Sequence, residues 1–223
     1  MPPSWGSPET PWDHLVGVEL TRLPDGSRSA CIATRRGPVL ARLREPAGCG
    51  TGALFVGPAA FHDSFATLCG HLARAGVATL QLTAPAADRL EEAIGAARGL
   101  LRLRGAPRVV LAGGGAACAA VLAGASTLDA EAVALLSPAV PGEPAALERL
   151  RGRPLLIFAP ARAAAARATR AEARAPAELF EFAGAGETLA EVLADLAALC
   201  VPRLVAALAK GADAPGGFKA VDC

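Results

Sequence analysis

A single stretch, residues 108–120 (RVVLAGGGAACAA), constrains the fold of this chain more than any other. An apolar run, Val109–Leu111, leads into three consecutive glycines, Gly113–Gly115, and an alanine-rich segment follows. The apolar run is typical of a buried strand, the glycines permit a tight turn, and the alanines favour a helix. Strand, turn and helix in this order form the setting in which α/β proteins place a nucleophile or bind a phosphate. Yet the glycine turn itself carries no side chain that could act in catalysis.

The rest of the chain alternates between strand-like and helix-like segments. From residue 53 onward, short apolar runs typical of buried strands are separated by segments with apolar residues at helical spacing. The clearest helix extends from Asp88 to Arg104, and Asp88 is a good N-cap for it. Three strand-like segments between residues 14 and 43 come before this alternation. The pattern predicts an α/β fold with a mostly parallel central sheet, helices on both faces and an antiparallel start.

The domain organisation is predicted to be simple, because the sequence contains no internal repeat and no linker long enough to divide it. We expect one α/β domain over residues 14–210, an extended segment over residues 1–13 and a loose tail over residues 211–223. Near the end of the domain, Pro202 is expected to break or cap a helix, because proline has no backbone N–H.

Composition and charge exclude several functional classes. The 223 residues carry 22 Lys and Arg against 21 Asp and Glu, so the net charge of +1 gives no basis for binding nucleic acid or an anionic membrane. No uninterrupted apolar run reaches the roughly 18 residues of a membrane helix, and the N-terminus has no signal-peptide pattern. Six cysteines without a CxxC pair and only three histidines predict no metal, cofactor or disulfide framework. Free thiols favour a cytoplasmic location.

Four parts of the sequence match, in order and spacing, the parts of one known fold. They are the strand and turn Leu54–Pro58, the helix end and strand His71–Leu80, the strand, turn and helix Val109–Ala117, and the strand pair Leu155–Ala159 and Glu178–Glu187. Over roughly residues 30–210 the chain therefore resembles the α/β-hydrolase fold. The resemblance implies that Leu54–Pro58 supplies an oxyanion hole and that Val109–Ala117 is the nucleophile elbow, G-x-S-x-G. It also implies that the last two strands precede the acid and the histidine of a catalytic triad.

The triad positions implied by this resemblance are substituted. Gly115 occupies the serine position of the elbow, and Ala117 replaces its last glycine. No acid is found near residues 160–162, and Glu187 stands where the histidine is expected. Acyl transfer needs a nucleophile, a base and a group that orients the base, so a serine-dependent esterase is not expected. We predict instead a degenerate elbow pocket formed by Gly57, Pro58, Gly113, Gly114, Gly115 and Ala116.

The predicted pocket is open, because only 14 residues separate Ala139 from Pro154, where related enzymes often insert a lid. We therefore expect a minimal cap or none.

Three residues are candidates for residual chemistry in this pocket. Glu187 is either a lone carboxylate base facing the pocket or the cap of a helix that starts at Thr188. His62 either reaches the pocket mouth or lies in a surface loop, where Asp63 or Ser64 caps the next helix. Cys118 is either a thiol with its pKa lowered by a helix N-terminus or a small buried apolar residue.

Three functions are consistent with these residues. The leading hypothesis is a non-catalytic binding or assembly module, whose partner is another protein, a second copy of the chain or a small acyl-type ligand. The first alternative is an enzyme of altered, non-covalent chemistry that uses Glu187 or His62 as a base. The second is a nucleotide binder through Gly113–Gly115, because Gly113-x-Gly115-x-x-Cys118 loosely matches a dinucleotide fingerprint whose third glycine is replaced.

Overall fold

The computed structural model describes residues 14–150, 152–173 and 176–210. The predictions for residues 1–13 and 211–223 lie outside these ranges. The strands are β1 (Gly17–Arg22), β2 (Arg28–Thr34), β3 (Gly37–Arg44), β4 (Thr51–Gly57), β5 (Ala78–Thr83), β6 (Arg108–Gly114), β7 (Val133–Leu136), β8 (Leu155–Pro160) and β9 (Ala177–Phe182). The helices are α1 (His62–Arg74), α2 (Ala87–Leu103), α3 (Ala117–Gly124), α4 (Pro144–Arg149), α5 (Ala164–Glu172) and α6 (Leu193–Lys210).

The nine strands of the described chain form one sheet in the order β1-β2-β3-β5-β4-β6-β7-β8-β9. The first three strands are antiparallel, and β3 is also antiparallel to β5. From β4 onward all pairs are parallel. Helices cover both faces, since α2 to α5 pack into one apolar cluster and α1 and α6 into another. The predicted mostly parallel α/β sheet with an antiparallel start is therefore confirmed.

Burial explains why the parallel strands read as continuous apolar runs. All seven residues of β6 except the first are buried, because helices lie on both faces of the sheet. In β3, by contrast, Val39, Ala41 and Leu43 are buried while Leu40 is 65% exposed. This alternation indicates that one face of the antiparallel extension is less covered than the other.

Two local predictions of helix boundaries were wrong. Helix α6 continues through Pro202 without a break. Cys200 and Leu204, on either side of that proline, are fully buried, and their packing offsets the lost N–H. Asp88 is not an N-cap, because α2 already begins at Ala87 and its N-cap residue, Ala86, forms no side-chain hydrogen bond.

The last helix also bears on the membrane prediction. Within the described residues, the segment Ala190–Lys210 is long and apolar enough to cross a membrane by length and composition. Charged residues interrupt it, which is why the sequence shows no continuous apolar run. In the structure α6 packs against α1 and the sheet through buried residues such as Leu196 and Leu208, as a core helix of a globular protein does.

The connection between β7 and β8 contains only one short helix in its described part. This helix, α4, packs into the core through Ala146 and Leu147. No lid therefore stands over the carboxyl edge of the described sheet, which confirms the predicted minimal cap.

Candidate ligand site at the carboxyl edge of the sheet

The turn between β6 and α3 has the backbone shape of an elbow. Gly115 has φ +57°, the left-handed conformation that side chains rarely adopt. Its N–H donates to the carbonyl of Leu136 on the neighbouring strand at 2.9 Å, and its carbonyl accepts from the N–H of Cys118 at 3.3 Å. These bonds hold the turn between the strand and the helix. The strained position that carries a nucleophile in a G-x-S-x-G turn is present here without a side chain.

The neighbouring glycines are required by close packing. A Cβ on Gly113 would stand 2.8 Å from the Cα of Cys118, so any larger residue would push α3 away from β6. A Cβ on Gly114 would stand 2.8–2.9 Å from the rings of Phe65 and Phe61. Gly57, at the end of β4, is equally confined by Phe65 at 2.8 Å. These three glycines therefore have a structural role, whatever binds nearby.

An aromatic ring covers the elbow. Phe61 lies in the 3₁₀ turn Ala59–Phe61 and is only 4% exposed. A Cβ on Gly115 would stand 3.1 Å from its Cε2 atom. The ring is held by Phe65, with ring centroids 5.6 Å apart. The space in front of the nucleophile position is thus already partly filled by the Phe61 side chain.

The predicted oxyanion-hole loop is short of donors. Pro58, the first residue after β4, has no N–H. The N–H of Phe61 is occupied, because it donates to the carbonyl of Pro58 at 3.0 Å. Two of the loop's backbone positions are therefore unable to stabilise an oxyanion.

A cavity of about 330 Å³ opens beside the elbow. Its polar side chains are those of Ser137 and Glu187. The other lining residues are apolar or glycine: Phe61, Gly115, Pro138, Ala139, Pro160, Ala163, Ala164 and Ala165. We call this space the elbow cavity.

Ser137 is the more constrained of the two polar residues. It follows β7 directly, has φ +47° and donates its N–H to the carbonyl of Phe158 at 2.7 Å. Its Oγ is buried and has no hydrogen-bond partner among the described residues. Buried hydroxyls are normally paired, and strained backbone conformations cluster at functional sites. These two features distinguish Ser137 from the other residues that line the elbow cavity.

The loop that carries Glu187 is fixed on both sides. The Ser64 hydroxyl of α1 donates to the carbonyl of Thr188 at 2.6 Å, and the Glu191 carboxylate accepts from the N–H of Gly186 at 3.0 Å. The hydrogen bond from Gly186 keeps the pKa of Glu191 below its usual value. Glu187 itself is exposed and lines the elbow cavity.

An arginine lies in the segment after β8, where the resemblance leads us to expect the acid of a triad. Arg162, two residues beyond β8, is exposed, has φ +68° and donates its N–H to Glu181 Oε1 at 2.9 Å. The same carboxylate binds Arg167 at 2.8 and 2.9 Å. Glu181 therefore organises the surface of β9 and α5, and it does not face the elbow.

The three candidate residues are not brought together. Of these, only Glu187 lines the elbow cavity with Gly115. His62 is the first residue of α1, lies with its Nδ1 3.2 Å from Gln81 Nε2, and lines a different cavity. The alternative in which His62 acts in the elbow pocket is therefore wrong. Cys118 is 3% exposed and its Sγ donates to the carbonyl of Gly113 at 3.2 Å.

Burial also removes the chemical case for Cys118. Desolvation raises the pKa of its thiol to about 12, so the helix N-terminus does not activate it. Of the two alternatives for Cys118, the structure shows the small buried residue.

The predicted capping roles are wrong as well. Neither Asp63 nor Ser64 caps α1, whose N-cap residue is Phe61 without a side-chain bond. Glu187 does not cap the following 3₁₀ turn, whose N-cap residue is Leu189. The Ser64 hydroxyl instead donates to the loop after β9, a tertiary contact that local capping rules do not predict.

The glycine cradle required by the nucleotide alternative is also missing. Gly113 and Gly114 are residues of the β6 ladder, and the Gly115 N–H is bound to Leu136. These groups are therefore not free to point at a phosphate, which removes the basis of that hypothesis.

Sequence reasoning missed two residues of the site, Phe61 and Ser137. Phe61 carries no sequence signal for its place over the elbow. Ser137 stands at the end of a buried strand before a proline, a weak signal that could have drawn attention to it.

No protein-family model and no curated protein matches the sequence. Solved structures do match. The esterase domain of a Rhodothermus marinus protein superposes with TM-score 0.63 at 21% identity, over 86% of this chain and 98% of that one. Est1E from Butyrivibrio proteoclasticus superposes with TM-score 0.68 at 14% identity, over 86% of this chain and 99% of that one. An α/β serine hydrolase without lid from Xanthomonas campestris superposes with TM-score 0.58 at 14% identity, over 89% of this chain and 100% of that one.

Proposed function

Taking as premise that the chain has the α/β-hydrolase fold, we propose that it is a non-catalytic binding module built on that fold. The observation that carries the proposal is the contact between Phe61 and Gly115. A nucleophile in this position needs free space in front of it, and a base within hydrogen-bond reach. Here an aromatic ring occupies part of that space, and the cavity supplies one hydroxyl and one carboxylate.

The ligand we propose is a small acyl-type molecule in the elbow cavity. The apolar lining of alanines, prolines and Phe61 suits a short aliphatic chain. The unpartnered Ser137 Oγ can donate a hydrogen bond to a carbonyl oxygen, and this contact would satisfy a group that is otherwise buried without a partner. Assembly with another protein or a second copy stays a prediction, as does the cytoplasmic location. The five cysteines of the described chain are free thiols, in keeping with a reducing compartment.

A second candidate function has one observation in its favour. Glu187 lines the same cavity as Ser137 and Gly115, so a carboxylate base could take a proton from a bound substrate or water. Such an enzyme would work without a covalent intermediate at residue 115.

Turnover separates these two functions. Wild type and Gly115→Ser are assayed with p-nitrophenyl butyrate, beside Glu187→Gln and the surface control Glu172→Gln. We expect all four proteins to match the buffer rate. Turnover by the wild type that Glu187→Gln removes and Glu172→Gln keeps would establish the enzyme and overturn the non-catalytic proposal.

Binding is tested by nuclear magnetic resonance with methyl butyrate as the probe. We expect shifts of the backbone amide signals of Gly115 and Ala139. Ala164→Leu should weaken binding by filling the cavity, whereas Ala171→Leu, on the same helix but outside the cavity, should not. Absence of these shifts at millimolar methyl butyrate would contradict the proposed ligand class.

A further inference from the structure

A second cavity lies on the antiparallel extension of the sheet, beside the start of α1. It has a volume of about 310 Å³ and shares no residue with the elbow cavity. Its lining combines the polar residues Ser29, Arg42, His62, Gln81 and Thr83 with the apolar residues Leu23, Leu40 and Ala41. We call it the β3–β5 cavity.

The amide of Gln81 is the central feature of this cavity. Gln81 is only 5% exposed. Its Nε2 donates to the main-chain carbonyl of His62 at 3.0 Å and lies 3.2 Å from His62 Nδ1. Rotating the amide by half a turn would place Oε1 against the carbonyl oxygen, so this bond fixes the orientation. Oε1 is consequently left buried without a hydrogen-bond partner in the described chain.

An arginine stands directly across from this amide. The register of β3 and β5 pairs Arg42 with Gln81 and Arg44 with Thr79. Both guanidinium groups turn toward the single carboxylate of Asp25, at 3.1 and 3.5 Å. Two positive charges thus share one negative charge. The Nη1 of Arg44 is also buried without a partner among the described residues.

These groups define the ligand chemistry. Arg42 lines the cavity and its charge favours an anion. Its Nε donates to Ser27 Oγ at 2.9 Å and its Nη2 binds Asp25, so Nη1 is the guanidinium nitrogen that can pair with a ligand carboxylate. The acceptor Oε1 of Gln81 requires a donor on the same ligand. A hydroxyl suits this better than an ammonium group, which Arg42 would repel. The exposed side chain of Leu40 offers a surface for an apolar substituent.

We propose that the β3–β5 cavity is a second binding site and that its ligand is a small 2-hydroxycarboxylate. The carboxylate pairs with Arg42, the hydroxyl donates to Gln81 Oε1, and the substituent on the hydroxyl-bearing carbon lies against Leu40. The site is independent of the elbow cavity, and the proposal does not rest on the proposed function.

Three matched probes test the ligand class on the full-length wild type by calorimetric titration. Mandelate has the carboxylate, hydroxyl and apolar ring, phenylacetate lacks the hydroxyl, and mandelamide lacks the charge. We expect mandelate to bind at least about tenfold more tightly than either analogue. Three outcomes would each overturn the proposal. They are phenylacetate binding as tightly as mandelate, inorganic phosphate binding as tightly as mandelate, and no binding of mandelate at millimolar concentration.

Variants test the location. Arg42→Gln should weaken mandelate binding about tenfold, whereas Arg22→Gln, which lies on the exposed edge strand β1 and outside the cavity, should leave it unchanged. Gln81→Met should lower mandelate affinity to that of phenylacetate without changing phenylacetate binding. Because Gln81 is buried, the folding of the Gln81→Met variant is checked by thermal melting. Should Gln81→Met not fold, amide shifts of Thr83 and Gln81 in wild type decide the location, and shifts confined to Gly115 and Ala139 would refute it.

Discussion

The ring of Phe61 lies against the backbone of Gly115, so that a side chain at residue 115 would begin 3.1 Å from Phe61 Cε2. The elbow turn and the aromatic residue are 54 positions apart in sequence. Their contact fills part of the space in front of residue 115. We expect this contact to couple the two positions energetically, and the coupling can be measured.

A double-mutant cycle measures the coupling between these residues. Gly115→Ser should lower the free energy of unfolding by about 1–3 kcal/mol, since φ +57° strains a side chain and Phe61 crowds it. In a Phe61→Leu background the same substitution should cost less, because the aromatic edge is gone. Urea unfolding of the four proteins checks this. Additive effects would show that backbone strain alone, and not the ring, sets the cost.

Gly113 should tolerate no side chain, in contrast to a glycine without such a contact. Gly113→Ala places a methyl group 2.8 Å from the Cα of Cys118 and should destabilise the protein by about 1–3 kcal/mol. Gly70, within α1, has no atom within 4 Å of a built Cβ. Gly70→Ala should therefore stabilise the protein by about 0.5–1 kcal/mol. Thermal melting of both variants checks the pair, and two changes of the same sign would contradict it.

The Glu181 carboxylate should make stability depend on pH. Its hydrogen bond with Arg167, and a second with the Arg162 N–H, hold its pKa below the ordinary value of 4.5. The unfolded chain therefore binds this proton first as pH falls, so the stabilisation is present above about 4.5 and is lost below it. Glu181→Gln should melt below the wild type at pH 7.

The difference between Glu181→Gln and wild type should shrink as pH falls through 4.5 toward the lowered pKa. Glu172→Gln, an exposed residue of α5, serves as the control at each pH. A difference that is constant over this range would show that charge plays no part.

Cysteine reactivity should follow burial. Desolvation raises the thiol pKa of Cys69, Cys118 and Cys200 to about 12 in each case, whereas Cys31 and Cys49 are partly exposed. In the native protein at pH 8, iodoacetamide should modify Cys31 and Cys49 before the other three cysteines of the described residues, because only a reachable thiolate reacts. Peptide mapping by mass spectrometry identifies the sites. Early alkylation of Cys118 would instead mean that the elbow opens readily.

The sequence by itself determined the order of strands and helices along the chain and the position of the glycine turn. Apolar periodicity is a local property, and it sufficed to place β4 to β9 in an α/β order. The interpretation that Gly115 stands at a serine position and Glu187 at a histidine position came from matching short segments, and it stays a prediction. These inferences needed no knowledge of which side chains touch.

The tertiary structure alone decided what surrounds those positions. It placed Phe61 over Gly115, directed His62 to Gln81 instead of the elbow, and left Ser137 Oγ buried without a partner. It also carried α6 through Pro202, because packing on both sides outweighed a local preference. Contacts between residues far apart in sequence depend on how helices and rings pack in three dimensions. No local sequence pattern encodes that packing, so the side chains that line both cavities could be identified only in the folded chain.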